Sequence, residues 1–463
     1  MPFEPTSDQS TLLGKIADFL TDPSPNCAFV LKGYAGTGKT SIVSALVKTL
    51  PLFNIGFVLL APTGRAAKVM SSYSGKAAYT IHKHIYRFKE SISLGLHLQL
   101  SENNMANALF IVDEASMIAY SEPFGDEMPS QGRNLLDDLV EFVSLGHNCR
   151  LMFIGDSAQL PPVKLSESPA LDISFLKASY HFDIYTMELT EVMRQAEGSG
   201  ILANATKIRK LITSQTPKIP HFKTKGFKDI VRLQGNEMGD ALQSVYSSDG
   251  IEQSIIICRS NKRANLFNQQ IRNRILFQES EIAPGDILMV VKNNYFWLPN
   301  DSKAGFIANG DLIKILRARK LYELYGFRFM DICFQMLDYP DEPEVDARII
   351  LDTIHSESPS LTREQSQKLY EEILNDYMDI PSKAQRLKKI KTDPFYNALQ
   401  VKFAYAVTCH KAQGGQWEHV FLEQGIGPDL STINTEYLRW LYTAFTRATK
   451  NLFLINFAGD FFK

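Results

Sequence analysis

Residues 33–40 read Gly-Tyr-Ala-Gly-Thr-Gly-Lys-Thr, the spacing G-x-x-x-x-G-K-[ST] of a phosphate-binding loop. The apolar run Cys27–Leu31 precedes it, and Ser41–Leu50 follows with helical spacing. Strand, loop and helix in that order are the context the motif needs, and they commit this part of the chain to an α/β sheet. Gly33, Gly36 and Gly38 allow a tight turn that aims N–H groups at phosphate oxygens, and the helix N-terminus adds partial positive charge. Gly33, Ala35, Gly36, Thr37, Gly38, Lys39, Thr40 and Ser41 are therefore the expected phosphate cradle. Lys39 is expected to reach the β- and γ-phosphates, and the Thr40 hydroxyl to hold Mg²⁺.

A second motif, Ala108–Met117, reads Ala-Leu-Phe-Ile-Val-Asp-Glu-Ala-Ser-Met. Leu109–Val112 has the continuous apolar character of a strand buried on both faces. Asp113 and Glu114 then fall at its C-terminal edge, where α/β sheets bind ligands. Asp113 suits the Mg²⁺ shell, and Glu114 suits a general base that activates water. Together the two motifs imply Mg²⁺-dependent hydrolysis of a nucleoside triphosphate. They leave open what the hydrolysis drives.

A chain of 463 residues exceeds one hydrophobic core and implies two to four domains. The formal net charge is −2, so any nucleic-acid contact must come from local basic surface rather than from an overall positive field. The five cysteines are scattered, with no C-x-x-C pair, which argues against a zinc site or a disulfide framework and fits a reducing cytoplasm. No secretory leader and no apolar run of membrane-spanning length is read.

Along residues 1–185 apolar strands (Ala28–Leu31, Gly56–Leu60, Leu109–Val112, Leu151–Ile154) alternate with helical stretches, the pattern of a parallel sheet with crossover helices. Ser91–Leu100 alternates with period two and predicts part of a β-hairpin inserted at 84–107, either a plain surface feature or a working one. A second α/β set follows Tyr185, with strands at Gln253–Cys258, Ala404–Thr408, Val420–Glu423 and Leu452–Asn456. The block 310–398 differs: β-like runs suggest a small barrel, and its second half is helical, with Ser360 expected to cap a helix from about Leu361. Arg386, Lys388, Lys389 and Lys391 form a basic stretch, readable as a solvated face or as contact with nucleic-acid backbone.

Ordered motifs across both sheet segments resemble those of the superfamily 1B DNA helicases, the RecD- and Dda-like branch, from about Gln9 to Thr449. The resemblance implies two RecA-like parallel-sheet domains in tandem. The first is expected at 1–185 with the 84–107 hairpin as a strand-separating pin, where Phe88 or His97 could stack at the fork. The second is expected at 186–309 and 399–463, interrupted by an SH3-like and helical insertion at 310–398. It implies ATP as nucleotide, with Gln9 on the adenine, Gln159 (in Gly155–Pro162) coupling γ-phosphate to DNA, and Arg194 and Arg447 reaching the γ-phosphate. It assigns nucleic-acid contact to Thr63 and Arg65 (in Ala61–Ala67), to His82 (in Thr80-Ile-His82), and to Thr408, His410 and Lys411 (in Thr408–Gly415). One departure is Gln416, where related helicases often carry glutamate. Tyr295, Phe296 and Trp297 stand as base-stacking candidates or as core.

The implied activity is 5′-to-3′ movement on single-stranded DNA with unwinding at single-strand/double-strand junctions. The chain is expected to be a monomer working with replication or repair proteins. A translocase without strand separation, the motor subunit of a nuclease complex and an RNA helicase share the same motifs and stay open. A phosphate-loop kinase or switch would need neither polynucleotide nor Arg194.

Overall fold

The computed structural model describes residues 4–24, 26–91, 95–120, 134–192, 198–214, 217–299, 302, 304–427 and 430–463, with backbone alone for 88–91 and 95–98. Helix α1 (Ser7–Thr21) opens on a capping box in which the Thr6 hydroxyl accepts from Gln9 N–H and the Gln9 side chain accepts from Thr6 N–H. Strand β1 (Cys27–Gly33) leads through the glycine loop into helix α2 (Lys39–Thr49). Strand β2 (Gly56–Ala61) leads into helix α3 (Gly64–Ser74), whose N-cap Thr63 accepts from Ala66 N–H. With β3 (Ala78–Thr80), β6 (Ala108–Val112), β7 (Arg150–Gly155) and β8 (Asp183–Leu189), these strands form one parallel sheet in the order β3-β2-β6-β7-β1-β8. Every residue of β6 is buried, as a central strand covered by helices on both faces requires.

The expected hairpin is present as β4 (Tyr86–Ser91) paired antiparallel with β5 (Gly95–Leu100). Residues 92–94 and the side chains of Phe88 and His97 lie outside the described residues.

A second parallel sheet has the order β16-β10-β17-β18-β9, built from β9 (Ile230–Leu233), β10 (Ser254–Cys258), β16 (Ala406–Thr408), β17 (Trp417–Glu423) and β18 (Ala448–Ile455). Between β10 and β16 the chain builds a closed barrel of β11 (Ile287–Val290), β12 (Leu312–Leu324), β13 (Phe327–Met336), β14 (Val345–Ile350) and β15 (Leu399–Phe403). The fold is thus two RecA-like sheet domains with a small SH3-like barrel inserted in the second.

The barrel takes its first and last strands from outside the 310–398 block, because β11 pairs with both β12 and β15 and so removes the open edges. Strand β12 also runs eight residues past the apolar Leu312–Leu316. Its outer half is largely exposed, and its pairing with β13 continues to Leu324 through register shifts between Ile315 and Arg317 and between Ala318 and Leu321. The helix expected from Leu361 starts instead at Arg363. Thr362 caps it through a reciprocal box with Gln365, while Leu361 N–H donates to the Gln400 side chain, so Ser360 is not the cap. The basic helix Lys383–Lys391 follows its own N-cap, Ser382, and runs beside β5.

Candidate nucleotide and nucleic-acid sites at the seam between the two sheets

The glycine loop is left-handed at Gly36 (φ 78°) and Gly38 (φ 88°), which leaves room and backbone freedom for N–H groups to converge above α2. Lys39 Nζ folds back over the loop and donates to Gly33 O (2.6 Å) and Tyr34 O (3.0 Å). Thr37 Oγ1 donates to Tyr34 O (2.8 Å). Gln9, buried, spans from its capping box to the loop, its Nε2 donating to Thr37 O (3.2 Å). Each polar atom of the Gln9 side chain thus makes one bond within the protein, which fixes the amide beside the loop and leaves a second N–H and a second lone pair. Thr40 is the exposed second residue of α2, and Ser41 follows it, partly buried.

Asp113 and Glu114 follow β6 directly. Asp113 accepts from Tyr73 Oη (2.6 Å) and from Glu114 N–H (2.8 Å), and burial together with the Glu114 charge pushes its carboxyl above the usual carboxylate range. Glu114 holds left-handed backbone (φ 52°, ψ 36°), uncommon for a residue with a Cβ and a recurring mark of functional sites. Behind β7, Asp156 is buried, with its carboxyl pushed up by burial. Gln159 is also buried, and its Oε1 has no hydrogen-bond partner among the described residues.

The second sheet domain reaches this pocket through the helix Thr435–Phe445. Tyr442 Oη donates to Asp156 Oδ2 (2.6 Å) and accepts from Ala35 N–H of the glycine loop (2.8 Å). Arg447 is buried. Its Nη1 lies 3.7 Å from Glu114 Oε1 and donates to Gly415 O (3.2 Å), while its Nε donates to Thr443 O (3.2 Å). Lys39, Asp113, Glu114, Gln159 and Arg447 are therefore gathered at one seam. Arg194 lies outside the described residues.

The residues fit a magnesium nucleotide. Thr40 and Asp113 are hard oxygen donors of the kind Mg²⁺ takes, and the left-handed glycine loop is shaped for phosphate.

On the face carrying the remaining expected residues, Arg65 stacks its guanidinium 3.9 Å from the Trp417 ring centroid and donates to Gln416 O (3.3 Å). Gly414, left-handed at φ 72°, approaches Thr63 so closely that a Cβ there would stand 2.9 Å from Thr63 Oγ1. Thr63 and Arg65 thus meet the 408–416 segment across the seam. Thr408 precedes the short helix Cys409–Ala412. Lys411 donates to Asn309 Oδ1 (2.7 Å), and burial pushes its ammonium down to about 8, while burial also lowers His410. His82 packs edge-on to Phe306, and burial pushes its imidazole down to about 4. Trp297 is half-buried against the core, and its Nε1 donates to Asn397 O (2.7 Å), the arrangement of a structural indole.

Residues 21–165 match the AAA domain family and residues 403–455 the UvrD-like helicase C-terminal domain. The chain is 27% identical over 297 residues to the ATP-dependent DNA helicase dda of Enterobacteria phage T4. The matched segments lie in the two sheet domains and are similar to helicases of superfamily 1B. The phage match takes in 62% of each protein, so the chain spans under two thirds of that relative. The ATP-dependent RecD2 DNA helicase of Deinococcus radiodurans is 26% identical over 296 residues, 62% of this chain and 36% of that protein. A solved chain from work on forked-DNA unwinding by two coordinating Pif1 helicases overlays at TM-score 0.49 and 16% identity, covering 98% of this chain and 92% of that one. The residues that this likeness leads one to expect at a nucleotide site, Lys39, Asp113, Glu114, Gln159 and Arg447, stand on the two walls of the seam.

Sequence reasoning missed Tyr442 and Tyr73 as side chains that reach the seam residues. Tyr442 stands five residues before Arg447, and that nearness is the available signal. Tyr73 lies at the far end of α3, and nothing local in the sequence ties it to Asp113. No helix among the described residues is long and apolar enough to cross a membrane.

Proposed function

We propose that this chain is an ATP-driven 5′-to-3′ motor on single-stranded DNA that separates the duplex ahead of it. The observation that carries the reading is the approach of Arg447, from the second sheet domain, to Glu114 of the first, above the glycine loop. In this reading Lys39 and the loop amides bind the phosphates. Glu114 takes the proton of the attacking water. Arg447 and Arg194 stabilise the charge that builds on the transferring group, a task suited to a guanidinium that stays ionised and binds phosphate oxygens in pairs. Mg²⁺, when held by Thr40 and Asp113, neutralises charge on the phosphate oxygens. Gln9 orients the base, and Gln159 with its free Oε1 senses the phosphate end of the pocket.

Thr63, Arg65, His82, Thr408, His410 and Lys411 are taken to grip the DNA backbone, each sheet domain holding it separately, so that opening and closing of the seam becomes a step along the strand. The partition is a first motor domain at 1–185 and a second at 186–309 and 399–463, interrupted at 310–398 by an insertion whose barrel also takes in β11 and β15 from the flanks, with the β4–β5 hairpin meeting the second strand. RecD-type relatives support a place in DNA repair or recombination.

The test is unwinding of duplexes that carry one single-stranded tail. A 5′-tailed duplex is expected to be opened with ATP and Mg²⁺, and a 3′-tailed one left intact. The reverse preference would overturn the polarity. Stimulation of ATP turnover by RNA but not DNA would overturn the substrate class.

A further inference from the structure

His419 lies on β17, buried at 2% exposure. Its Nε2 makes no hydrogen bond among the described residues, yet Asp249 Oδ2 stands 3.3 Å from it and Glu418 Oε2 4.0 Å. The atoms of the three side chains that could ligate an ion lie within 4.8 Å of one another. A buried ring nitrogen without a partner costs free energy, and this one is aimed at two carboxylates rather than at apolar core. The carboxylates already attract a cation. Lys450 Nζ lies 2.6 Å from Asp249 Oδ1 and 3.2 Å from Glu418 Oε2, and its hydrogen bond pulls the Asp249 carboxyl down to about 2.

Local structure explains how the group assembles. Asp249 caps the C-terminus of the helix Met238–Ser248, and the Ser248 hydroxyl donates to its Oδ2 (2.6 Å). Glu418 and His419 are consecutive on β17. Opposite them the pairing with β18 slips: Trp417 faces Ala448 but His419 faces Asn451, so β18 carries one extra residue. Such bulges re-aim side chains, and here Glu418 and Lys450 come together beside His419. On the other side of the imidazole the Asn451 amide lies 3.2 Å from Nδ1. With its oxygen toward Nδ1–H, that amide fixes the tautomer whose Nε2 lone pair faces the carboxylates.

We propose that Asp249, Glu418 and His419 bind a divalent metal ion of the zinc class, and that Lys450 is the cation that competes for the same place. One imidazole and two carboxylates are a donor set that Zn²⁺ accepts, with water as a fourth ligand. Ligand atoms about 2.0–2.2 Å from a tetrahedral ion stand about 3.4 Å from one another. The His419–Asp249 separation already meets this, and the half-exposed Glu418 side chain is free to close the remaining gap. Lys450 is half-exposed and able to turn out to solvent, and a doubly charged ion in its place neutralises both carboxylates. The ion would tie the end of the helix Met238–Ser248 to β17. None of these residues belongs to the nucleotide site, so the proposal stands apart from the motor reading.

The experiment titrates the full chain, free of nucleotide and in excess Mg²⁺, with Zn²⁺ against a chromophoric chelator. The parent is expected to take up one equivalent. Asn451→Leu is expected to weaken that binding about 10–100-fold, the cost of losing an outer-shell partner, and His419→Gln and Glu418→Gln by at least as much. Lys450→Met is expected to bind more tightly than the parent, because the competing ammonium is gone. A charge cluster with a purely structural role does not give that gain. Urea unfolding without metal shows which variants fold, and if His419→Gln does not, the half-exposed Glu418→Gln decides. No uptake by the parent would overturn the site. So would binding left unchanged in His419→Gln and Glu418→Gln, which places the ion elsewhere on the chain, or a Lys450→Met chain that binds no more tightly than the parent.

Discussion

The Arg447 guanidinium lies 3.7 Å from the Glu114 carboxylate, although 333 positions separate the two in sequence and they belong to different sheets. Glu114 sits at the tip of a buried strand in left-handed backbone, and Arg447 closes the helix that also carries Tyr442 and Thr443. A carboxylate suited to taking a proton and a cation suited to stabilising phosphate charge are thus placed on opposite walls of one seam. The consequences below follow from that placement.

Arg447→Ala is expected to leave nucleotide affinity near that of the parent and to cut turnover by roughly 10³-fold, the lower end of what an arginine finger supplies. Arg447→Lys is expected to recover little, because an ammonium cannot reproduce the planar fork. Fluorescent-nucleotide binding and steady-state turnover separate the two effects. Equal loss of both points to folding instead.

Lys39→Ala removes the ammonium that now caps Gly33 O and Tyr34 O. DNA-stimulated ATP turnover is expected to drop by roughly 10²-fold or more, the scale of losing one preorganised donor to a developing charge. DNA binding, measured by anisotropy, is expected to survive. Retained turnover would count heavily against the site.

Tyr442→Phe deletes one hydroxyl that bridges Asp156 and Ala35 N–H, both in the first domain. Leaving these groups unpaired is expected to cost about 1–3 kcal/mol of stability. It is also expected to raise the KM for ATP, since the loop loses its tie to the second domain. Urea unfolding and ATP titration of turnover check the two expectations.

Asp311 gives a pH dependence with a defined sign. It is buried at 1% exposure, its Oδ1 has no partner among the described residues, and a Cβ on Gly64 would stand 2.5 Å from that oxygen. Burial, with Asp338 nearby, pushes its carboxyl up to about 8 from an ordinary 3.8. The unfolded chain releases this proton near 3.8 and the folded chain holds it until about 8, so the contribution to stability falls as the pH rises between those values. Asp311→Asn removes the slope. Its urea midpoint is expected to gain on the parent's as the pH is raised from 5 to 8, and a constant gap across that range would refute the assignment.

The parts of the fold legible in the sequence are those that local pattern controls. Leu109–Val112 reads as a buried strand because a central parallel strand is apolar on both faces, and the structure buries all of β6. The glycine loop is legible because its spacing answers to one geometric need. The cap of the helix Arg363–Asp376 was misread at Ser360 because a capping box is decided by which hydroxyl and which amide reach each other, and Ser360 and Thr362 are chemically alike. The outer half of β12 is not legible as strand, because its ladder partners supply the order that its charged sequence does not advertise.

Local pattern therefore determined the elements, the glycine loop, the paired acids after β6 and the motif order that carries the resemblance to superfamily 1B helicases. Only the tertiary structure decided that Arg447 faces Glu114 and that Tyr442 bridges Ala35 and Asp156. The reason is physical. Strand and loop signals arise from neighbours within a few residues, whereas these contacts join groups hundreds of positions apart that meet only after two sheets have folded and packed across a seam.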